Sequence, residues 1–344
     1  MKKTDKHPTL SEVARAAGVG TTTVSRVING GHRVDPQTLA RVQRVIERLG
    51  YMPNQAARIL KGDRTRTIGF VIPSIADPFF SSCAEAAQAI ARANDSVLIV
   101  MTTQNDPHAE VDAVNVLLRH RADGLIIAPG NSQSRLLRTM LERIPLPVVA
   151  LDRPITGSAI PCVLADNFAG ARLATEHLIE HGYERIACLT GEITLYTIRE
   201  RIRGYRAAMK RARLECILDT SIQDYRSAED TVQRMFSTAN PPDALLTLKN
   251  STTIFTFEAL QKLNQPIPER VALLGYDDFE LAATLRPSVT VIQQPVEEVG
   301  RIAAELLFER MQEAPASHPS HPRQVQLSTR LIRRRSCACQ PSLN

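Results

Sequence analysis

The sequence predicts a small all-α helix-turn-helix unit followed by a large α/β region built as two doubly wound parallel sheets. Three observations carry this expectation. Residues 9–50 hold three short amphipathic segments, each with its own start and stop signals. From Thr67 onward, short runs with no polar face alternate with amphipathic segments through most of the remaining chain. Charge separates the two regions as well: residues 1–66 hold thirteen Lys or Arg against five Asp or Glu, whereas the rest of the chain sums to −2. The boundaries are placed at 1–53 for the helical unit, 54–66 for a connecting helix and linker, and 67–344 for the α/β region.

The first helix opens at Thr9-Leu10-Ser11-Glu12, a capping box in which the Thr9 hydroxyl and the Glu12 carboxylate satisfy each other's amides. Leu10, Val13, Ala14 and Ala17 then form one apolar stripe, and Gly18 supplies the left-handed stop. After a tight turn, Gly20 to Gly30 carries Val24 and Ile28 one turn apart. Asp35-Pro36 starts a third helix with Leu39, Val42, Ile46 and Leu49 on one face and Gly50 beyond it. Three helices this short close a core only by packing at an angle. That is the helix-turn-helix, whose second helix offers its N-terminal side chains to base edges in the major groove. Here those side chains are Thr21, Thr22 and Arg26, residue types that can hydrogen-bond base edges and grip guanine bidentately. A hydroxyl-rich helix start and a solvated arginine are the competing explanation, and the basic three-helix setting favours DNA.

Pro53 to Gly62 reads as a further short helix, too polar to be stable alone. Strands are expected at Thr67–Pro73, Ser96–Thr102, Gly124–Ala128, Pro147–Leu151, Ile186–Thr190, Ala244–Leu248, Val271–Tyr276 and Val289–Ile292. Val296 to Met311 reads as a helix, and Arg323–Cys339 alternates like one strand returning to a sheet. At 344 residues and 43% apolar, the chain can bury its cores without disulfide or metal staples. No window approaches the roughly 18 apolar residues of a membrane span, and no apolar segment follows the lysine-rich start, so a cytoplasmic protein is expected. Six scattered cysteines with no C-x-x-C pair fit reduced thiols and call for no metal or cofactor.

In order and spacing, "TLSEVARAAGVGTTTVSRVING" and "RVDPQTLARVQRVIERLGYMPNQAARILKG" resemble the headpiece and hinge of the lactose-repressor (LacI/GalR) family of bacterial transcription regulators. Further blocks, "RTIGFVIPSIADPFF", "ADGLIIAP", "VVALDRP", "GYERIACLTG", "RIRGY" and "VALLGYDDFELA", extend the resemblance over nearly the whole chain. It implies a periplasmic-binding-protein-like effector domain of two lobes and a repressor whose operator affinity is set by a small molecule held between them. It implies that Thr21, Thr22 and Arg26 read bases and that Ser25 and Asn29 fix the helix on phosphates. It also implies a hinge helix that forms only on operator, with Asn54 at its start, Ala57 near the minor-groove floor and Leu60 wedged into a base step. Such a wedge kinks the duplex for a few kcal/mol, recovered through added contact. Burial of Leu60 on the α/β domain is the other reading. Gly20 stands where the family usually has a cap residue, a departure of a few tenths of a kcal/mol.

For the ligand, the resemblance points to the carboxyl ends of the strands. Phe79, Phe80 and Tyr225 offer flat faces to a sugar ring, with ordinary core packing as the alternative. Asp152, Arg153, Arg201 and Asp277 can meet hydroxyls or a carboxylate, or form structural ion pairs, and Gln294 is expected near the pocket mouth. Lys249 and Asn250 depart from the family's usual Asn-Asp pair. The added positive charge hints at an anionic effector such as a sugar acid or sugar phosphate, unless Lys249 points to solvent.

Two rival readings are a zinc hydrolase through His177, Glu180 and His181, which fit H-x-x-E-H, and a sugar-binding protein without DNA function. The first lacks a third ligand and the second does not explain the basic headpiece. The expected partners are therefore pseudo-palindromic operator DNA, a carbohydrate-derived effector and a second copy of the chain. No leucine heptads follow residue 311, so a dimer is expected without a coiled-coil tail.

Overall fold

The computed structural model describes residues 8–28, 30, 33–52, 64–313 and 323–338. The chain divides into two compact units, Met1–Thr65 and Arg66–Asn344. Hinge residues Asn54, Ala57 and Leu60, and Asn29, lie outside the described residues.

In the first unit, α1 (Leu10–Ala17), α2 (Thr21–Ile28) and α3 (Pro36–Leu49) all touch one another. The capping box forms, with Thr9 N donating to Glu12 Oε2 at 2.6 Å and Glu12 N to Thr9 Oγ1 at 3.3 Å. Gly18 closes α1 at φ +65°. Asp35 caps α3 by accepting from Thr38 N at 3.0 Å. The shared core is Val13, Ala14, Ala17, Val24, Val27, Val42 and Val45, ringed by half-buried Leu10, Ile28, Leu39, Ile46 and Leu49. Val27 and Val45 are thus more deeply buried than the expected Ile28 and Ile46: at an angled crossing the point of closest approach falls on the small residues, and the larger ones flank it.

The second unit holds two six-stranded sheets. One lobe contains β1 (Thr67–Ile72), β2 (Val97–Thr102), β3 (Gly124–Ile127), β4 (Val148–Leu151), β5 (Cys162–Ala165) and the late strand β11 (Gln324–Leu327), in the order β11-β5-β4-β3-β1-β2, all parallel. The other contains β6 (Ile186–Leu189), β7 (Ile217–Asp219), β8 (Ala244–Thr247), β9 (Ala272–Tyr276), β10 (Thr290–Gln293) and β12 (Arg330–Ile332), in the order β12-β10-β9-β8-β6-β7. Only β12 runs antiparallel to its neighbour. Sheets buried on both faces account for the apolar runs read from the sequence, since each sheet has a separate core on each side.

Helices α4 (Pro78–Ala93), α5 (Pro107–Arg119), α6 (Arg135–Arg143) and α11 (Val296–Gln312) cover the first lobe; α7 (Asn167–Glu180), α8 (Tyr196–Ala212), α9 (Tyr225–Phe236) and α10 (Asn250–Lys262) cover the second. The chain passes between lobes three times: between β5 and α7, between β10 and α11, and between β11 and β12. Two strands were not expected from the sequence, β5 and the short edge strand β7. The Arg323–Cys339 segment, expected as one strand, is two short strands in different sheets, because Ser328-Thr329 carries the third crossing.

The H-x-x-E-H segment sits at the end of α7 and is structural. His177 is 2% exposed, with Nε2 3.5 Å from Cys337 Sγ, while His181 Nδ1 lies 2.8 Å from the His177 carbonyl and Glu180 faces solvent. Among the described residues no group of three His, Cys, Asp or Glu could hold a metal ion. Burial, with His181 and Arg333 nearby, lowers the His177 pKa from 6.5 to about 4. The unfolded chain therefore binds a proton that the folded one refuses between those values, and stability falls as pH falls through that window by up to about 3 kcal/mol. Urea unfolding at pH 7 and pH 4.5 should show a shallower pH dependence for His177→Gln than for the parent; equal slopes would contradict the assignment.

Candidate functional site

In the helical unit, the sequence places Thr21, Thr22, Ser25 and Arg26 on one face of α2, opposite the buried Val24 and Val27. Thr21, Thr22 and Arg26 are exposed and Ser25 is half-buried. Gly20 stands before α2, its carbonyl accepting from Thr23 N at 2.9 Å and Val24 N at 3.2 Å. The helix therefore begins with exposed side chains at the end that helix-turn-helix proteins present to base edges.

In the α/β unit a cavity of about 250 Å³ opens at the carboxyl ends of both sheets. Both sheets reverse their winding direction beside their first strand, the switch point where open α/β sheets leave a crevice. Ser74 follows β1, Asp77 and Phe79 begin α4, Gln104 and Asn105 follow β2, and Asp152 and Arg153 follow β4. From the other lobe come Glu192 after β6, Thr197 and Arg201 on α8, Lys249 after β8, Asp277 after β9 and Gln294 after β10. Asp152 and Asp277 both stand just beyond the fourth strand of their lobes in left-handed backbone, at φ +66° and +70°. Two aspartates held there against roughly 1–3 kcal/mol of strain each mark the site.

Arg201 is the best-held of these side chains. It is 4% exposed, donates to Asn167 Oδ1 and to the Leu248 carbonyl at 2.7 Å each and to Asp277 Oδ2 at 3.3 Å, and lies 3.8 Å over the Tyr276 ring. Arg153, equally buried, donates to Asp152 Oδ2 at 3.0 Å, Asn105 Oδ1 at 2.7 Å and the Pro129 carbonyl at 3.2 Å. Burial raises the Asp152 pKa against the lowering pull of Arg153 and Arg201. Gln294 Nε2 donates to Asp277 Oδ1, and its buried Oε1 has no partner among the described residues. Asp77 caps α4, accepting from Phe79 N at 3.1 Å, and its pKa is raised by burial and by Asp277 against Lys249 and Arg201.

Of the wall residues expected from the sequence, Phe79, Phe80, Asp152, Arg153, Arg201, Lys249, Asp277 and Gln294 line this cavity. Phe80 also belongs to the first-lobe core, with Arg153 5.8 Å above its ring. Two expected residues stand outside the lining. Tyr225, the first residue of α9, is 49% exposed and turns edge-on to Phe255 at 4.4 Å, because Asp224 and Ser227 cap the helix and fix its start. Asn250 Oδ1 accepts from Ser251 N at 2.7 Å, serving a free amide at the start of α10 where Lys249 provides no side-chain cap. Lys249 is paired: its ammonium lies 3.2 Å from Glu192 Oε2. Sequence reasoning missed Asp77, Asn105 and Glu192. Asp77 had a signal, an Asp-Pro pair in the short loop beyond a buried strand, which caps the helix that follows. Asn105 and Glu192 lie in turns with no local pattern.

Residues 65–335 match the profile described as periplasmic binding proteins and sugar binding domain of LacI family, and residues 9–54 that of bacterial regulatory proteins, lacI family. The chain belongs to the LacI family. It is 33% identical over 309 residues to the ribose operon repressor of Escherichia coli (strain K12), covering 88% of this chain and 93% of that one. It is 32% identical over 308 residues to the HTH-type transcriptional repressor PurR of Aliivibrio salmonicida (strain LFI1238), covering 89% and 92%. Among solved structures, a lac repressor dimer bound to operator and the anti-inducer ONPF superposes with TM-score 0.87 at 25% identity, covering 97% of this chain and 100% of that one. A complex of the transcriptional regulator CelR with cellobiose gives 0.70 at 30%, covering 96% and 99%. This LacI-family chain is thus a DNA-binding transcriptional repressor with an effector-binding domain, and not an enzyme. No helix among the described residues is long and apolar enough to cross a membrane.

Proposed function

We propose that this repressor senses an uncharged sugar of monosaccharide size in the cleft between its lobes, and that the bound sugar sets its grip on a pseudo-palindromic operator. The observation that carries the sugar reading is the polar pattern of the cavity wall. Acceptors with spare capacity, the half-buried carboxylates of Asp77 and Asp277 and the buried Gln294 Oε1, stand beside the donors Arg153 and Arg201 and the aromatic Phe79. A ring bearing several hydroxyls meets all three needs, because each hydroxyl both donates and accepts. At about 250 Å³ the cavity is smaller than the roughly 300–1,000 Å³ of drug-sized pockets, which favours one sugar ring over two. In the relatives, the ribose operon repressor and the CelR complex with cellobiose support a carbohydrate.

The ligand residues of this reading are Asp77, Phe79, Phe80, Asp152, Arg153, Arg201, Lys249, Asp277 and Gln294. Thr21, Thr22 and Arg26 read bases, Ser25 and Asn29 hold phosphates, and Asn54, Ala57 and Leu60 belong to the hinge. The active species is a homodimer, working in the cytoplasm where the chromosome is, since two copies of α2 match the two halves of a palindrome. The dimeric lac repressor on operator supports this. A thermal-shift and calorimetric panel of neutral pentoses and hexoses, sugar acids and sugar phosphates tests the ligand class. A neutral monosaccharide should raise the melting temperature; stabilisation by the charged sugars alone would overturn the reading.

A further inference from the structure

Among the described residues, each cation lining the cleft has an acid beside it. Arg153 meets Asp152 at 3.0 Å, Arg201 meets Asp277 at 3.3 Å, and Lys249 meets Glu192 at 3.2 Å. Asp77 is a fourth acid on the same wall, so the lining carries one more negative charge than positive. The first two pairs are almost wholly buried and share their arginines with carbonyl and amide oxygens, as parts of a framework do. The third differs. Lys249 and Glu192 side chains are 30% and 50% exposed, both face the cavity, and neither helps to hold the core.

The backbone fixes where the acid stands. Glu192 sits at φ +38°, in left-handed backbone next to Gly191, a conformation that glycine adopts without cost and other residues adopt against steric resistance. Gly191 itself has no room for a side chain, since a Cβ there would lie 2.3 Å from the Ile222 carbonyl oxygen. The turn Gly191–Leu195, closed by Leu195 N donating to the Glu192 carbonyl at 3.0 Å, therefore fixes where residue 192 projects. That turn holds the Glu192 side chain at the cleft wall within reach of Lys249.

We infer that Glu192 is a built-in counter-anion that occupies the Lys249 ammonium and so excludes phosphate- and carboxylate-bearing ligands from the cleft, which makes residue 192 a specificity determinant. The inference deepens the uncharged-sugar reading and rests on the cleft being the ligand site. An incoming anion must either displace the Glu192 carboxylate from Lys249 or lie beside it. Either way it meets a like charge at short range in a partly desolvated cleft, a cost that water alone would screen. A hydroxyl loses nothing there, because it can donate to Glu192 and accept from Lys249.

The test uses the full-length protein, with inorganic phosphate and one neutral sugar as separate probes in calorimetry and thermal shift. Glu192→Gln keeps the shape and removes the charge. It should bind phosphate at least about tenfold more tightly than the parent, with neutral-sugar affinity within about threefold. Adding Lys249→Met to Glu192→Gln should erase the gain, which assigns it to the freed ammonium. Glu192→Ser provides a second charge-free variant with the same expected ordering. Identical phosphate titrations for the parent and both charge-free variants, or a gain that survives Lys249→Met, would overturn the role of Glu192. The two readings fail separately. If no neutral sugar binds but phosphate still distinguishes the parent from the variants, the sugar reading falls and the counter-anion stands; the reverse pattern removes the counter-anion alone.

Discussion

Arg201→Met is expected to abolish ligand binding and to lower the melting temperature of the α/β unit by on the order of 10 °C. The side chain is 4% exposed and its guanidinium serves Asn167 Oδ1, the Leu248 carbonyl and Asp277 Oδ2 at once. Methionine keeps much of the length but offers no donor. Two acceptors then lose their partner and the Asp277 charge is left without its cation in a partly buried place, a change worth about 3–5 kcal/mol. At roughly 2–4 °C per kcal/mol for a unit of this size, the shift is readily measured. Binding fails for a second reason: Asp277, released from Arg201, no longer holds its orientation beside Gln294 Nε2. Scanning calorimetry reads the first effect and titration of the neutral sugar the second. Arg201→Lys should recover part of the stability, since an ammonium neutralises Asp277 but cannot reach three acceptors in one plane. A Met variant that melts within about 2 °C of the parent and gives the same isotherm would remove Arg201 from the site.

Arg26→Ala should reduce specific operator binding toward the level of random DNA while leaving sugar binding unchanged. Arg26 is exposed on α2 and contributes nothing to the Val24–Val27 core, so the substitution leaves the fold within about 0.5 kcal/mol. A bidentate arginine–guanine contact discriminates by about 1–3 kcal/mol, and a dimer makes it twice, which gives a loss between about 30-fold and about 10⁴-fold. Because the lost contact is to a base edge, the ratio of specific to random affinity should collapse, whereas substitution of a phosphate-contacting residue would weaken both together. Anisotropy titrations on operator and on shuffled duplex distinguish these outcomes. An unchanged specificity ratio would refute base reading by Arg26.

The architecture was legible in the chain because two signals are strictly local. Caps and stripes at Thr9–Ala17 and Asp35–Leu49 mark helices without reference to the rest of the molecule. Runs such as Ile68-Gly69-Phe70-Val71-Ile72, short, β-branched and without a polar face, mark strands covered on both faces. The strands that escaped show the limit. Cys162–Ala165 is one short apolar run that periodicity alone does not separate from a buried helix segment, and Ile217–Asp219 is a half-buried edge with no periodicity to read.

In the cleft, residues in distinctive blocks, such as Asp152 and Asp277 at strand ends and Arg201 within the R-x-x-G-Y run on α8, could be named from sequence. Those set by tertiary geometry could not. Glu192 and Lys249 are 57 positions apart and meet only because β6 and β8 are neighbours in the sheet. Read singly, Lys249 suggested an anionic ligand; read as a pair, the two residues suggest the opposite. Tyr225 stands outside the cavity lining for a related reason, since its ring packs against Phe255, a residue that no pattern around position 225 reveals.

Control of operator binding by one small molecule in the cleft is read by fluorescence-anisotropy titration of the full-length protein on operator, with and without saturating neutral sugar. The operator Kd should change at least about tenfold, in either direction, while affinity for shuffled duplex hardly moves. Superimposable operator curves with a sugar already shown by calorimetry to be bound would contradict such control.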